Sequence, residues 1–247
     1  MTALVPRLRM FAGPNGSGKS TIKDILPPQW LGVYVNADEM EKHIRQHERL
    51  SFSDFGIVSG AAELLAFLKA STLLSQVGLS SQVQHLTLVD GRVGFDKVVV
   101  NAYWASVLAD FIRHKLLQAQ ISFTFETVMS SPDKVDFLRK AQRAGYRTYL
   151  YFVATQDPEI NVARVQYRVA TGGHPVAEDK IRSRYVRSLE LLPQAVSYAD
   201  RAYIFDNSGA ERVWIAELTD GIEIEMKTDE MPAWFKASLW DMFEPEN

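Results

Sequence analysis

The stretch Gly13-Pro14-Asn15-Gly16-Ser17-Gly18-Lys19-Ser20-Thr21 decides how the rest of the chain is read. From Gly13 to Ser20 it follows the P-loop pattern: Gly, four residues, then Gly-Lys-Ser/Thr. The glycines let the backbone enter conformations closed to other residues, so successive N–H groups can turn inward around phosphate oxygens. Lys19 is placed to reach the β- and γ-phosphates of a nucleotide such as ATP, and the Ser20 hydroxyl to bind Mg2+. A helix is expected to begin near Lys19 and to point its positive end at the same anion. The flanks fit this reading. Leu8, Met10, Phe11 and Ala12 form a short apolar run before the loop, and Thr21-Ile22-Lys23-Asp24-Ile25-Leu26 can be helical after it. Strand, loop and helix in that order separate the motif from a chance Gly/Ser-rich turn.

The 247 residues, 47% of them hydrophobic, suffice for one large core or for one domain with an elaboration. A net charge of −3 gives no overall bias toward nucleic acid or an anionic membrane, so any basic site must be local. The chain has no cysteine, which excludes a disulfide framework, a thiolate nucleophile and a cysteine-ligated metal. Neither a signal-peptide pattern nor an apolar run of ~20 residues is present. These features lead to the expectation of a soluble, cytoplasmic protein.

Further along, Pro27-Pro28 is expected to stop regular structure, and Gly32–Asn36 reads as a second strand. Asp38 follows that strand and opens a polar helix, where it can serve as the helix cap or as a functional carboxylate. His43 and His47 lie one turn apart, a spacing that can bind zinc, but the metalloprotease glutamate is missing and a solvated face accounts for them better. Residues 50–98 read as an insertion holding an apolar helix over Ser59–Gln76 and a hairpin at Asp90-Gly91. A helix over Asn101–Gln118, a strand over Ile121–Glu126 followed by Thr127, a helix from Pro132 and an apolar strand at Thr148–Ala154 follow. Asp157-Pro158 starts a helix with Arg164 and Arg168, Gly172-Gly173 breaks it, and a further helix carries Arg182, Arg184 and Arg187. Arg201–Asn207 reads as the last core strand, followed by a hairpin at Asp220-Gly221 and a closing helix over Met231–Phe243.

Strands alternating with helices predict an α/β fold, a P-loop kinase-like parallel sheet covered by helices on both faces. The expected organisation is a domain over 1–210, with the insertion, and a C-terminal extension over 211–247. Ligands of such sheets bind outside the carboxyl ends of the strands. The P-loop, Asp38, Glu126 and Asp206-Asn207 all fall there. Phosphoryl transfer needs positioned phosphates, Mg2+, charge stabilisation and a carboxylate at the acceptor. Arg164, Arg168, Arg182 and Arg184 around a glycine break are how a lid over phosphates would be built. A pair of helices with solvated arginines is the competing account.

Taken in order, several stretches resemble the zeta toxin family of P-loop kinases. They are Gly13–Thr21, Asn36-Ala37-Asp38-Glu39, Phe123–Thr127, Arg164 through Gly172-Gly173-His174-Pro175 to Arg184-Tyr185, Ser188-Leu189 and Phe205–Ser208. The resemblance implies an ATP-dependent kinase acting on a small molecule, with a nucleotide sugar such as UDP-N-acetylglucosamine as the acceptor of the toxin members. It implies Asp38 as catalytic base, Glu126 and Thr127 on the substrate side, and Arg164 at the γ-phosphate. The toxins' second lid arginine falls near His174, so Arg168, His174 and Arg182 share that candidacy. The insertion departs from the family where an acceptor would be contacted, and neither toxicity nor an antitoxin partner follows. A nucleotide-dependent switch or partner-binding ATPase is the alternative reading. Asp206-Asn207-Ser208-Gly209 superficially fits a GTPase element, but no Asn-Lys-x-Asp motif accompanies it.

Overall fold

The computed structural model describes residues 5–173 and 175–243. The P-loop strand β1 (Arg7–Ala12) is buried from Leu8 onward. Lys19–Ile25 forms a 3-10 helix rather than the expected α-helix. Its entry residue, Gly18, is left-handed at φ 95°, and the tighter i→i+3 bonding keeps the segment short. Pro27-Pro28 does not stop regular structure: Pro28 is the first residue of α1 (Pro28–Leu31), where its missing N–H costs nothing. Next come β2 (Val33–Val35), α2 (Ala37–His47) and β3 (Arg49–Ser51). The apolar stretch before the hairpin is two helices, α3 (Ala61–Lys69) and α4 (Thr72–Gln76). They part at Ser71, whose side chain accepts from the Leu74 N–H and so caps α4. The hairpin strands β4 (Thr87–Val89) and β5 (Arg92–Gly94) turn at Asp90-Gly91, both with positive φ, as a tight hairpin requires. Asn101 caps the long α5 (Ala102–Gln118) through the N–H groups of Tyr103 and Trp104.

The second half alternates as predicted: β6 (Phe123–Thr127), α6 (Pro132–Arg143), β7 (Arg147–Ala154), α7 (Pro158–Ala170), α8 (Glu178–Glu190), α9 (Leu192–Ser197) and β8 (Arg201–Asp206). It ends with β9 (Val213–Thr219), β10 (Glu223–Met226) and α10 (Ala233–Ser238). The closing helix is shorter than expected. It breaks at Leu239 (φ −143°), and a 3-10 turn over Trp240–Met242 follows, with Trp234 buried and Trp240 half-buried.

Two compact units emerge: the residues up to Leu31 with those from Thr124 onward, and Gly32–Phe123. In the first, strands run in the order β10-β9-β8-β7-β1-β6. β1 and β8 pair with β7 in parallel, while β9 and β10 continue the same sheet antiparallel. This is a mostly parallel α/β sheet flanked by helices. Leu150, Phe152, Val153 and Ala154 of β7 are all fully buried, on both faces of the strand. Phe137 of α6 meets Phe125 edge-on at 5.6 Å, and Trp234 of α10 packs on Phe152 at 6.2 Å between ring centroids.

The second unit packs its own core. Its three-stranded sheet is ordered β3-β5-β4. Leu64, Leu68, Leu74, Val93 and Trp104 are buried in this unit, and Phe52 and Phe67 both contact Phe111.

One polar tie in the first unit has a measurable consequence. The Asp200 carboxylate accepts from the buried Thr148 N–H at 2.6 Å and from its hydroxyl at 2.8 Å. Asp200→Ala strands the Thr148 N–H, while the hydroxyl keeps the Tyr198 carbonyl at 2.9 Å, and a loss of about 1–3 kcal/mol is expected. Urea unfolding of this variant and of Asp200→Asn, which keeps an acceptor oxygen, checks it. Equal losses in the two would show that the acceptor is not what matters.

Candidate functional site

The P-loop takes the backbone shape its glycines were expected to allow. Gly13, Gly16 and Gly18 have φ of 138°, 75° and 95°. Each is also pressed against a neighbour. A Cβ on Gly13 would lie 2.0 Å from the Val153 carbonyl oxygen, one on Gly16 2.6 Å from the Asn161 carbonyl oxygen, and one on Gly18 2.3 Å from the Asn207 side-chain nitrogen. Within the loop, Ser17 is fully buried and its hydroxyl has no hydrogen-bond partner among the described residues. A buried, unspent hydroxyl in a glycine cradle is the chemistry of a site for phosphate oxygens. The residues therefore fit a nucleotide polyphosphate.

Three elements hold the cradle. Asn161, fully buried on α7, donates from its amide to the Asn15 carbonyl at 2.6 Å. Its amide oxygen accepts from Thr155 Oγ1, and the Thr155 carbonyl accepts from the Tyr185 hydroxyl at 2.6 Å. Burial pushes the Tyr185 phenol up to about 12, so it stays a donor at neutral pH. After β8, Asn207 donates from its side chain to the Ser17 carbonyl at 2.7 Å. Arg164 in turn donates to the carbonyls of Asn207 at 2.6 Å and Gly209 at 3.3 Å. Arg212, the residue before β9, donates to the Thr21 hydroxyl at 2.6 Å. Nothing in the sequence marks Asn161 or Arg212, because single residues far along the chain carry no motif. The sequence places Asn207 beside Asp206 at a strand end, without marking it as a P-loop support.

Of the predicted residues, Lys19 donates to the Pro14 carbonyl at 2.8 Å, across the loop. The exposed Ser20 hydroxyl donates to Glu126 Oε2 at 3.2 Å, so the predicted magnesium ligand and the carboxylate at the end of β6 meet. The adjacent Thr127 hydroxyl accepts from the Met129 N–H at 3.0 Å and shapes the turn after the strand. Arg184 approaches the Asn15 side chain at 3.5 Å. Arg168 is half-buried at the end of α7, against Gly173. Arg182 is held in ion pairs with Glu159 at 2.7 Å and Glu178 at 3.1 Å, which hold its proton above the usual guanidinium range and lower Glu159. His174 lies outside the described residues. Asp206 is structural: its carboxylate accepts from the Trp234 indole at 2.6 Å and from the Ser208 hydroxyl and N–H, both at 2.9 Å.

Asp38 belongs to the other unit, in the first turn of α2, and is exposed. It is not the helix cap. That task falls to Asn36, whose side chain accepts from the N–H groups of Asp38 at 2.9 Å and Glu39 at 3.2 Å. On the same helix, exposed His43 and His47 stack at 4.4 Å, and His47 Nδ1 lies 2.9 Å from the His43 carbonyl. Among the described residues no cluster of three or more His, Asp or Glu could hold a metal ion, and no helix is long and apolar enough to cross a membrane.

Comparison with known proteins adds the following. Residues 97–219 match the family model described as zeta toxin. That segment contains Glu126, Arg164, Arg168, Arg182 and Asn207, whereas the P-loop and Asp38 lie before it. An uncharacterized protein of Haemophilus influenzae is 32% identical over 72 residues, 29% of this chain; the chain spans about half of that relative, 51%. Among solved structures, the AvrRxo1-ORF1:AvrRxo1-ORF2 complex with sulphate ions superposes with a TM-score of 0.55 at 15% identity, over 96% of this chain and 64% of that one. The same complex with ATP gives 0.50 at 16% identity, over 98% and 64%. The chromosomal PezAT toxin–antitoxin system of Streptococcus pneumoniae gives 0.52 at 15% identity, over 98% and 80%. At such identities the likeness is one of fold.

Proposed function

We propose that this chain, a member of the zeta toxin family, is an ATP-dependent phosphotransferase that phosphorylates a hydroxyl of a small molecule. The observation that carries the reading is the P-loop cradle with its unspent Ser17 hydroxyl and with Ser20 meeting Glu126. The ATP in one complex of similar fold supports the choice of nucleotide. In this reading Gly13 to Thr21 hold the phosphates, and Lys19 turns from the Pro14 carbonyl to the β- and γ-phosphates. Ser20 and Glu126 would hold Mg2+, which when bound neutralises charge on the phosphates. Arg164 and Arg168 supply cations for the transferring group, as arginines do for phosphoryl oxygens. Arg182, spent on two carboxylates, must first leave them to join in, so Arg184 beside Asn15 is the better placed of the two. Asp38 takes the proton of the acceptor hydroxyl. A nucleotide sugar is the acceptor class that the family suggests, and the toxin–antitoxin nature of one structure of similar fold, the PezAT system, makes an antitoxin partner part of the same proposal. The setting is cytoplasmic, where ATP is at hand.

The test is untargeted mass spectrometry of a metabolite extract incubated with ATP, Mg2+ and the protein, with Lys19→Ala as control. A species that gains one phosphate only with the wild type is the expected result, and it names the acceptor. Nucleotide-dependent capture of one protein, with no phosphorylated species, would instead establish a partner-binding ATPase.

A further inference from the structure

The segment between β8 and β9 does more than close the sheet. Asn207, at its start, holds the Ser17 carbonyl, and Arg212, at its end, holds the Thr21 hydroxyl. It therefore grips the second half of the P-loop at two points. Thr21 spends its own hydrogen on the Gly18 carbonyl at 2.8 Å, so it meets Arg212 as an acceptor. The Arg212 guanidinium lies over the Phe205 ring, 5.5 Å from its centroid.

Two things about this arginine are out of balance. It is half-buried, and among the described residues no carboxylate lies within ion-pair distance of it. Burial lowers its proton affinity, and Asp24 offsets this only from a distance. A guanidinium also carries five N–H donors in a planar fork. Thr21 is their one protein acceptor among the described residues. A partly desolvated cation without a counter-ion is costly unless an anion completes it. Here it stands at the end of the loop whose shape is made for anions.

We propose that Arg212 is a nucleotide-binding residue, closing its guanidinium on a phosphate at the Thr21 end of the P-loop while Phe205 backs it. The site would thus include a cation supplied 191 residues further along the chain than Thr21. This rests on the P-loop being a nucleotide site. Phosphate is favoured over the base because the unspent groups are charged donors, which bond phosphate oxygens strongly.

The experiment measures the affinity of the full chain for ATP and for inorganic tripolyphosphate, which has no base, in wild type, Arg212→Gln and Arg212→Lys. Arg212→Gln is expected to weaken both ligands by about 10- to 100-fold, the range of a lost charge-assisted hydrogen bond. It should also flatten the salt dependence of binding, because one screened charge is gone. Arg212→Lys should keep the salt dependence while losing part of the affinity. Loosening of the loop alone would weaken binding without changing its salt dependence, and that result overturns the proposal. So does weakening of ATP but not of tripolyphosphate, which assigns Arg212 to the base. If the wild type binds neither ligand, the nucleotide reading itself fails; if it binds both and Arg212→Gln matches it, only this inference falls. Thermal unfolding of each variant shows that the fold is intact.

Discussion

Asp38→Asn is expected to lower turnover by about 10²- to 10⁴-fold, the range for removing a general base, while ATP affinity stays at the wild-type value. The substitution keeps size and a hydrogen-bond acceptor and removes only the ability to take a proton. The local structure makes it clean. Asn36, not Asp38, accepts the N–H groups that start α2, so the cap survives the change. What the helix itself loses is one negative charge near its N-terminus, about 0.3–1 kcal/mol. Asn36→Ala is the complementary variant: it removes the cap, at about 1 kcal/mol, and leaves the carboxylate. The measurement is phosphorylation of the acceptor found by mass spectrometry, with ATP affinity and urea unfolding followed in parallel. If Asp38→Asn turns over as fast as the wild type, Asp38 is not the base, and Glu126 becomes the carboxylate to test.

The sequence made the alternation of strands and helices legible because hydrophobic period and turn chemistry agree there. Thr148–Ala154 is apolar enough to be buried on both faces, and Asp90-Gly91 and Asp220-Gly221 both take the positive φ of tight turns. The P-loop was legible for a similar reason, since its function is carried by consecutive backbone groups. Local errors arose where two residues compete for one task. Asn36 and Asp38 both suit a helix start, and periodicity does not say which will cap. Pro27-Pro28 carries the signal of a stop, yet a proline at the first helical position is a start. The supports of the cradle were least legible. Asn161, Asn207 and Arg212 reach the loop from 146, 190 and 191 residues away. Only the parallel order β8-β7-β1 brings them there. The pairing of Arg182 with Glu159 was hidden likewise, because it joins two helices across the glycine break.

Gly13→Ala should be the most damaging single-atom addition to the P-loop, costing more than about 4 kcal/mol or preventing folding. Two costs combine at this position. A φ of 138° is outside the range of ordinary residues and costs on the order of 1–3 kcal/mol by itself. The added Cβ would also sit 2.0 Å from the Val153 carbonyl oxygen, far inside contact distance. Val153 is fully buried in a strand hydrogen-bonded on both sides, so the carbonyl cannot move without breaking the sheet. Gly172→Ala isolates the first cost: its φ is 91°, and a Cβ there meets nothing within 4 Å among the described residues. Gly18→Ala is intermediate, since the atom it strikes is the end of the Asn207 side chain, which can rotate at the cost of its bond to Ser17. Urea unfolding of the three variants should therefore rank them Gly13, Gly18, Gly172 from most to least destabilised. ATP affinity should separate them differently, with Gly172→Ala matching the wild type and Gly18→Ala weakened beyond its stability loss, because Asn207 no longer fixes the loop. Should Gly13→Ala fold and bind ATP as well as Gly172→Ala does, the close packing of the P-loop on β7 is not what shapes the phosphate cradle.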